Sequence, residues 1–306
     1  MVYCLCCQGL LENGYRYHPK CLKNLFGKNR PPSISFGLGD VRAEVIKTGS
    51  RMSLSGVQKK LSVRVNPDTD VLETVARGGT HILKPSSTEF PDLPQNENAC
   101  MNMAEGLNMR VPPHGLFPMA DGTLCYIVKR FDRLDNGTKL AKETMFQILG
   151  SEDKYVGSLE QVGKAIRKHV TNIGLDAIDF FERALFCFLT GNGDMHQKNW
   201  ALITRLGGSI SLAPCYDFVS SKVYLPEEGD TALTINGKRH KLTREDFDVF
   251  ATSLQIAAKP ADNVFQKIFK AKNKFVGMCA SSELSPSLRD KLIAVIENRH
   301  TRLFKH

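Results

Sequence analysis

The sequence predicts an α+β chain built as two lobes, a small β-rich lobe followed by a larger helical one. Three observations carry this reading. Short alternating segments recur at 41–47, 60–65, 71–76 and 80–84; apolar residues switch to helical spacing from 142 onward; and a polar cluster, TGNGDMHQKN, interrupts the second part between its most apolar helix and a short strand. Alternation with a period of two marks half-buried strands, and recurrence at three and four marks amphipathic helices.

Length and composition set the bounds. A chain of 306 residues, 42% hydrophobic and 24% charged, has room for two lobes and is ordinary for a globular protein. No apolar run approaches the ~20 residues that span a bilayer. The start, MVYCLCCQGLLENG, lacks the basic region and long apolar stretch of a secretory signal, so a cytoplasmic protein without a membrane partner is expected. The net charge of +9 suits polyanionic partners such as nucleotides, nucleic acids or acidic protein surfaces. No complete DNA-recognition motif accompanies that charge, so DNA is expected only indirectly, through a partner.

Residues 1–40 read as an N-terminal Cys/His knuckle and linker. Cys4, Cys7, His18 and Cys21 give CxxC followed by HxxC, a spacing that can close a tetrahedral structural Zn²⁺ site, although thiols and a histidine also pack together without metal. The other cysteines outside this cluster, from Cys100 to Cys279, read as buried reduced thiols. GKNRPPSISFGLGD (27–40) is rich in Pro, Gly and Ser and reads as a linker or surface loop.

Residues 41–131 read as the β-rich lobe. VRAEVIK and KLSVRV both alternate, so RMSLSGVQKK between them reads as a turn joining two antiparallel strands. A loop carrying Ser53, Ser55 and Gly56 can also offer hydroxyls and amide N–H groups to phosphates, with Lys59 and Lys60 adding positive charge. Lys84 ends an apolar strand and is placed to neutralise phosphates; Glu97, on the helix expected over 95–109, can pair with it, as a solvated surface pair or in the cleft. The strand YIVKRFDR then leads to the second lobe, its backbone at Lys129, Arg130 and Phe131 placed to meet an adenine ring.

Residues 132–306 read as the helical lobe: KETMFQILG, SLEQVGKAIRKHV and GLDAIDFFERALFCFLTG as helices, NWALIT and SISLAPCYD as short strands, then helices near 243–256, 260–274 and 285–304. Asp194, His196 and Asn199 stand in the spacing DxHxxN. Phosphoryl transfer needs a carboxylate to orient an attacking hydroxyl and take its proton, and nearby oxygen ligands for a metal bridging phosphates. Asp194 suits the first role, Asn199 and Asp217 the second, with ATP and Mg²⁺ as the implied cofactors. Singly, each of these residues also suits a helix cap or a turn.

In this order MSLSGVQKK, HILKPSS, KRFDR, KETMFQILG, GNGDMHQKN and PCYDF resemble the HipA-like serine/threonine protein kinases, toxins of bacterial toxin–antitoxin operons. The resemblance covers about residues 41–300. It implies a bilobed kinase fold related to the phosphoinositide kinases, with Asp194 as catalytic base, Asn199 and Asp217 as magnesium ligands and Lys84 as the phosphate-binding lysine. Ser55, Gly56, Val57, Gln58, Lys59, Lys60, Lys129, Arg130, Phe131 and His196 would meet the nucleotide. The short segment before the loop resembles HipT, the toxin of three-gene systems in which a small HipS protein supplies a separate subdomain and a helix-turn-helix HipB protein binds DNA. The resemblance further implies autophosphorylation at Ser53 and Ser55 and an aminoacyl-tRNA synthetase as substrate, tryptophanyl- ahead of glutamyl-. Two other readings of the residues stand beside this one, a small-molecule phosphotransferase and a non-catalytic component of a repressor complex.

Overall fold

The computed structural model describes residues 2–12, 14–48 and 59–304. The chain opens on a hairpin, β1 (Val2–Tyr3) and β2 (Leu10–Leu11), followed by α1 (Pro19–Phe26). Pro19 starts α1 because its fixed φ suits a first turn that needs no N–H. Gly27 ends it at φ 73, its N–H donating to the Lys23 carbonyl.

The next segment differs from the expected linker. Ser33 N–H donates to Asp70 O, Ala120 N–H donates to Phe36 O, and Ile34 and Phe36 are buried. Two apolar side chains with a place on the sheet outweigh the loop-like composition around them. A second difference is α2 (Val41–Thr48), where a strand was expected. Val41 and Val45 alternate with polar residues, but they also stand four apart, which is one helical face, and both pack into the core beneath. Asp40 accepts from the Gly37 N–H just upstream and favours the helical turn, while Thr74 donates to Glu44 and ties α2 to the sheet. The expected strand–turn–strand hairpin is therefore absent on its first side.

The main sheet is antiparallel. It comprises β3 (Leu61–Val65), β4 (Leu72–Thr74), β5 (His81–Lys84), β6 (His114–Pro118) and β7 (Leu124–Lys129) in the order β4-β3-β5-β7-β6, with α3 (Leu93–Gly106) between β5 and β6 in sequence. Its two faces separate cleanly. Leu61, Val63, Leu83 and Ile127 pack with Leu22 and Leu25 of the N-terminal segment, whereas Leu116, Tyr126 and Val128 pack into the larger core with α3. Since successive strand residues point to opposite faces, Leu83 toward α1 sends Lys84 toward α3 and the space beyond it.

The helical lobe begins with a strand. β8 (Ala141–Thr144) pairs with β9 (Ala201–Thr204), which pairs with β10 (Ile210–Leu212). The helix expected across KETMFQILG is reduced to α4 (Met145–Ile148), because Thr144 caps it and thereby fixes where helix can begin. The larger helices are α5 (Leu159–His169), α6 (Ile173–Thr190), α7 (Arg244–Ser253), α8 (Ala258–Ala280) and α9 (Pro286–Phe304). Phe180, Phe181, Phe186 and Phe188 are fully buried on α6, each worth ~1.5–3 kcal/mol of burial, so α6 is the central post of the lobe. Its C-cap, Gly191 at φ 69, turns the chain out of that core and into the polar segment that follows. Among the described residues, no helix is long and apolar enough to cross a membrane.

Candidate active site

A cavity of about 630 Å³ opens where the main sheet meets the helical lobe. The turn after α6 supplies one wall. Gly193 donates to Ser221 Oγ at 2.8 Å, and a Cβ there would stand 2.4 Å from a Glu228 carboxylate oxygen, so a larger residue would have to displace the Glu228 side chain. The turn then folds on itself: His196 N–H donates to Asp194 O (2.8 Å), Asn199 N–H to His196 O (2.9 Å) and Asn199 Nδ2 to Asp194 O (3.1 Å). With Nδ2 so engaged, Oδ1 is the Asn199 side-chain atom left for a cation. The Asp194 carboxylate accepts from the Tyr155 hydroxyl at 2.8 Å. Burial holds the imidazole of His196 below its ordinary pKa against the pull of Asp194, so it is neutral near pH 7; its ring stands edge-on to Tyr155 at 5.2 Å.

The opposite wall is Asp217, past β10. Its φ of 56° is a left-handed conformation that a non-glycine residue adopts at some cost, and it turns the carboxylate toward the sheet. Lys84 donates to one oxygen and Lys60 to the other, the latter at 2.9 Å. Burial pushes the Asp217 carboxyl upward, but these two ammonium groups outweigh it and hold the group well below the usual carboxylate range. Lys84 is itself buried and also donates to Glu97. Burial alone would discharge Lys84; Asp217 and Glu97 keep it charged and raise its pKa. The Lys84–Glu97 pair therefore stands in the interior, not on the surface.

Between these walls the cavity is lined by further cations, Lys142 and Lys154 among them. Lys142 lies over the Tyr216 ring at 4.2 Å from its centroid, and burial lowers its pKa. Two details bear on the sequence reading. The N–H groups of Lys129 and Arg130 are engaged within the protein, donating to Pro113 O and Thr80 O at 2.9 Å each, and the Arg130 guanidinium pairs with Asp132. Phe131 and Asp132 continue that segment along the cavity wall. Lys59 is exposed, while Lys60 reaches into the site. Ser53, Ser55, Gly56, Val57 and Gln58 lie outside the described residues.

Tyr155, Lys142 and Lys154 were missed in the sequence. No local pattern marks them: Tyr155 stands in a polar loop ahead of α5, and only the fold brings it to Asp194 across 39 positions. Away from the cavity, the ligand atoms of Cys4, Cys7, His18 and Cys21 all lie within 4.8 Å of one another.

This arrangement is similar to known proteins. The family model described as HipA-like C-terminal domain matches residues 52–275. A putative kinase of Haemophilus influenzae is 33% identical over 186 residues, covering 56% of this chain and 54% of that protein. The serine/threonine-protein kinase toxin HipA of Shewanella oneidensis is 27% identical over 209 residues, covering 61% and 47%. The chain thus spans about half the length of these curated relatives. The solved structure of the Shewanella oneidensis MR-1 HipA, HipB and operator DNA complex contains a chain that superposes with a TM-score of 0.72 at 20% identity, covering 88% of this chain and 71% of that one. That likeness shows the fold, α+β and bilobed like a kinase.

Proposed function

The chain belongs to the HipA-like C-terminal domain family, and from that premise we propose that it is an ATP- and Mg²⁺-dependent serine/threonine protein kinase, the toxin of a bacterial toxin–antitoxin system. One observation carries the reading: Lys84, Asp217, Asn199 and Asp194, drawn from both lobes, converge on a single cavity. In the proposed assignment Asp194 orients the substrate hydroxyl and accepts its proton, with Tyr155 holding the carboxylate in place. Asn199 Oδ1 and the Asp217 carboxylate hold Mg²⁺, and Lys84, kept charged by Glu97, faces the nucleotide phosphates. These residues fit a metal–nucleotide complex: oxygen donors for the ion lie beside a cluster of ammonium groups for the phosphates. Asp217 is bonded to two lysines in this structure, so a cation held by its carboxylate would compete with Lys60 for Oδ2.

The substrate in this reading is a serine of an aminoacyl-tRNA synthetase, tryptophanyl- before glutamyl-, whose modification stops translation. The proposed partners are a HipB-like DNA-binding antitoxin and a HipS-like small protein. The first is supported by the HipB that accompanies HipA in the matching Shewanella complex, the second by the resemblance to HipT alone. Ser53 and Ser55 are proposed autophosphorylation sites. Each phosphate would bring ~1.5–2 negative charges to a segment leading directly into Lys60, and that charge would compete with ATP for the same lysines.

The test is incubation of the purified chain with ATP, Mg²⁺ and bacterial lysate, followed by phosphoproteomics, beside an Asp194→Asn control. New phosphoserine on a protein substrate, absent with the control, is the expected result. Transfer to a small molecule with no protein phosphorylation would replace this reading with that of a small-molecule phosphotransferase.

A further inference from the structure

We propose that Cys4, Cys7, His18 and Cys21 form a tetrahedral Cys₃His zinc site that holds the N-terminal segment in place against α3. Zn–S bonds of ~2.3 Å put sulfur atoms about 3.8 Å apart, so ligand atoms already within 4.8 Å need move only slightly to close on one ion. Here the cysteines are free thiols, with no disulfide among them.

The surrounding backbone is arranged for those ligands. After Cys4 the chain makes a tight turn, Gln8 N–H donating to Cys4 O and Cys4 N–H to Gly9 O, both 2.9 Å, which brings Cys7 back beside Cys4. A Cβ on Gly9 would meet the His18 ring at 3.1 Å, so glycine leaves the imidazole room to approach. His18 and Cys21 come from the first turn of α1, where His18 is the N-cap, and its N–H donates to Cys4 Sγ at 3.3 Å. Backbone N–H groups at a helix start favour thiolate over thiol. The imidazole is oriented too. Nε2 lies 3.1 Å from Leu10 O, so it carries the proton, and Nδ1, 3.3 Å from Cys7 Sγ, presents its lone pair to the cluster. A carbonyl that fixes the outer nitrogen is the usual partner of a metal-binding histidine.

Cys6 stands beside this set but outside it: its thiol meets those of Cys4 and Cys21, while the four ligand atoms that lie mutually within 4.8 Å are those of Cys4, Cys7, His18 and Cys21. Cys6 is buried against Gly115, where a Cβ would meet its sulfur at 2.5 Å. The turn is also a fastening point: Asn98 Nδ2 donates to Leu5 O (3.3 Å) and Asn102 Nδ2 to Cys6 O (2.7 Å), both from α3. Metal in the turn therefore fixes two carbonyls that position the helix carrying Glu97.

Metal content of the full chain, purified under reducing conditions without chelator, tests this directly and is independent of the kinase reading. One equivalent of Zn²⁺ is expected, and Co²⁺ in its place should show the visible bands of tetrahedral thiolate coordination. Cys4→Ser, Cys7→Ser and Cys21→Ser should each lose the metal and lower Tm by several degrees, and chelation of the unaltered chain should do the same. Cys6→Ser should keep the metal. Should the serine variants fail to fold, His18→Cys, which completes a Cys₄ set, should still bind one equivalent. No metal in the unaltered protein, metal retained in all three serine variants, or disulfides found among Cys4, Cys7 and Cys21 in freshly purified protein would overturn the proposal.

Discussion

Lys60 and Asp217, 157 positions apart, meet at 2.9 Å, and the bond joins the start of the main sheet to the loop after β10. Lys84 takes the other oxygen of the same carboxylate. Both oxygens proposed for a cation are thus engaged by ammonium groups in this structure.

Lys60→Met should release Asp217 Oδ2. Lys60 is about one-third exposed, so its pairing is worth no more than about 1 kcal/mol, and the affinity for Mn²⁺ alone should rise up to about fivefold. Electron paramagnetic resonance titration with Mn²⁺ in the absence of nucleotide reads this. Unchanged affinity would mean that Lys60 does not compete with the ion.

Asp194→Asn should abolish phosphoryl transfer with nucleotide affinity largely kept, since the carboxylate acts on the substrate hydroxyl. Asp217→Asn should weaken Mg²⁺-ATP binding as well. Calorimetry on both variants separates the two roles, and equal loss of affinity in each would collapse the distinction.

Glu97→Ala leaves the buried Lys84 ammonium with Asp217 as its remaining carboxylate partner. Breaking a buried pair commonly costs 3–5 kcal/mol, and Asp217 puts the expected cost near the lower end, at about 3 kcal/mol. Urea denaturation measures it; a loss below about 1 kcal/mol would show that Asp217 alone suffices.

Tyr155→Phe removes the hydrogen bond to Asp194 without removing the ring beside His196. A bond to a charged group contributes ~1.5 kcal/mol, so kcat should fall about tenfold while KM for ATP holds. A change confined to KM would place Tyr155 with the nucleotide instead.

Asp230 supplies a pH signature in the helical lobe. Burial pushes its carboxyl upward, but Arg302, the Leu242 N–H and Arg299 hold it down at about 2. A depressed folded-state pKa stabilises fully above the ordinary carboxylate value, near 3.9, and that contribution drains as pH falls toward 2. The shift corresponds to about 2.5 kcal/mol. Urea denaturation between pH 5 and pH 2.5 should show that loss in the unaltered chain and a shallower slope in Asp230→Asn, already less stable at pH 5 because Arg299 loses its partner.

The sequence signalled those parts of the site that local chemistry demands. DxHxxN follows an apolar helix, and Lys84 ends an apolar strand, so each polar group stands out against its neighbours. Lys142 and Tyr155 do not: a lysine on a short strand or a tyrosine in a polar loop carries no local sign of the ring or carboxylate that the fold sets beside it, and Lys60, legible as a cation for phosphates, carries none of its pairing with Asp217. The same limit explains α2, where VRAEVIK satisfies a period of two and a spacing of four equally well. The choice is made by a core that accepts Val41 and Val45 together. Composition misled at 27–40, since Pro, Gly and Ser say nothing of Ile34 and Phe36 finding the sheet.

Four residues of α3 reach in three directions. Asn96 exchanges two hydrogen bonds with the Ser220 backbone, Glu97 accepts from Lys84, and Asn98 and Asn102 hold the turn of Cys4–Cys7. Substitutions at these places are therefore coupled through a rigid body, and their costs should not add. A change at Asn102 that tilts the helix already disturbs Glu97 and Asn96, so a second change there costs less than it would alone. Drift at one end of α3 then sets which residues the other end tolerates, and the N-terminal turn and the cavity are bound to change in step.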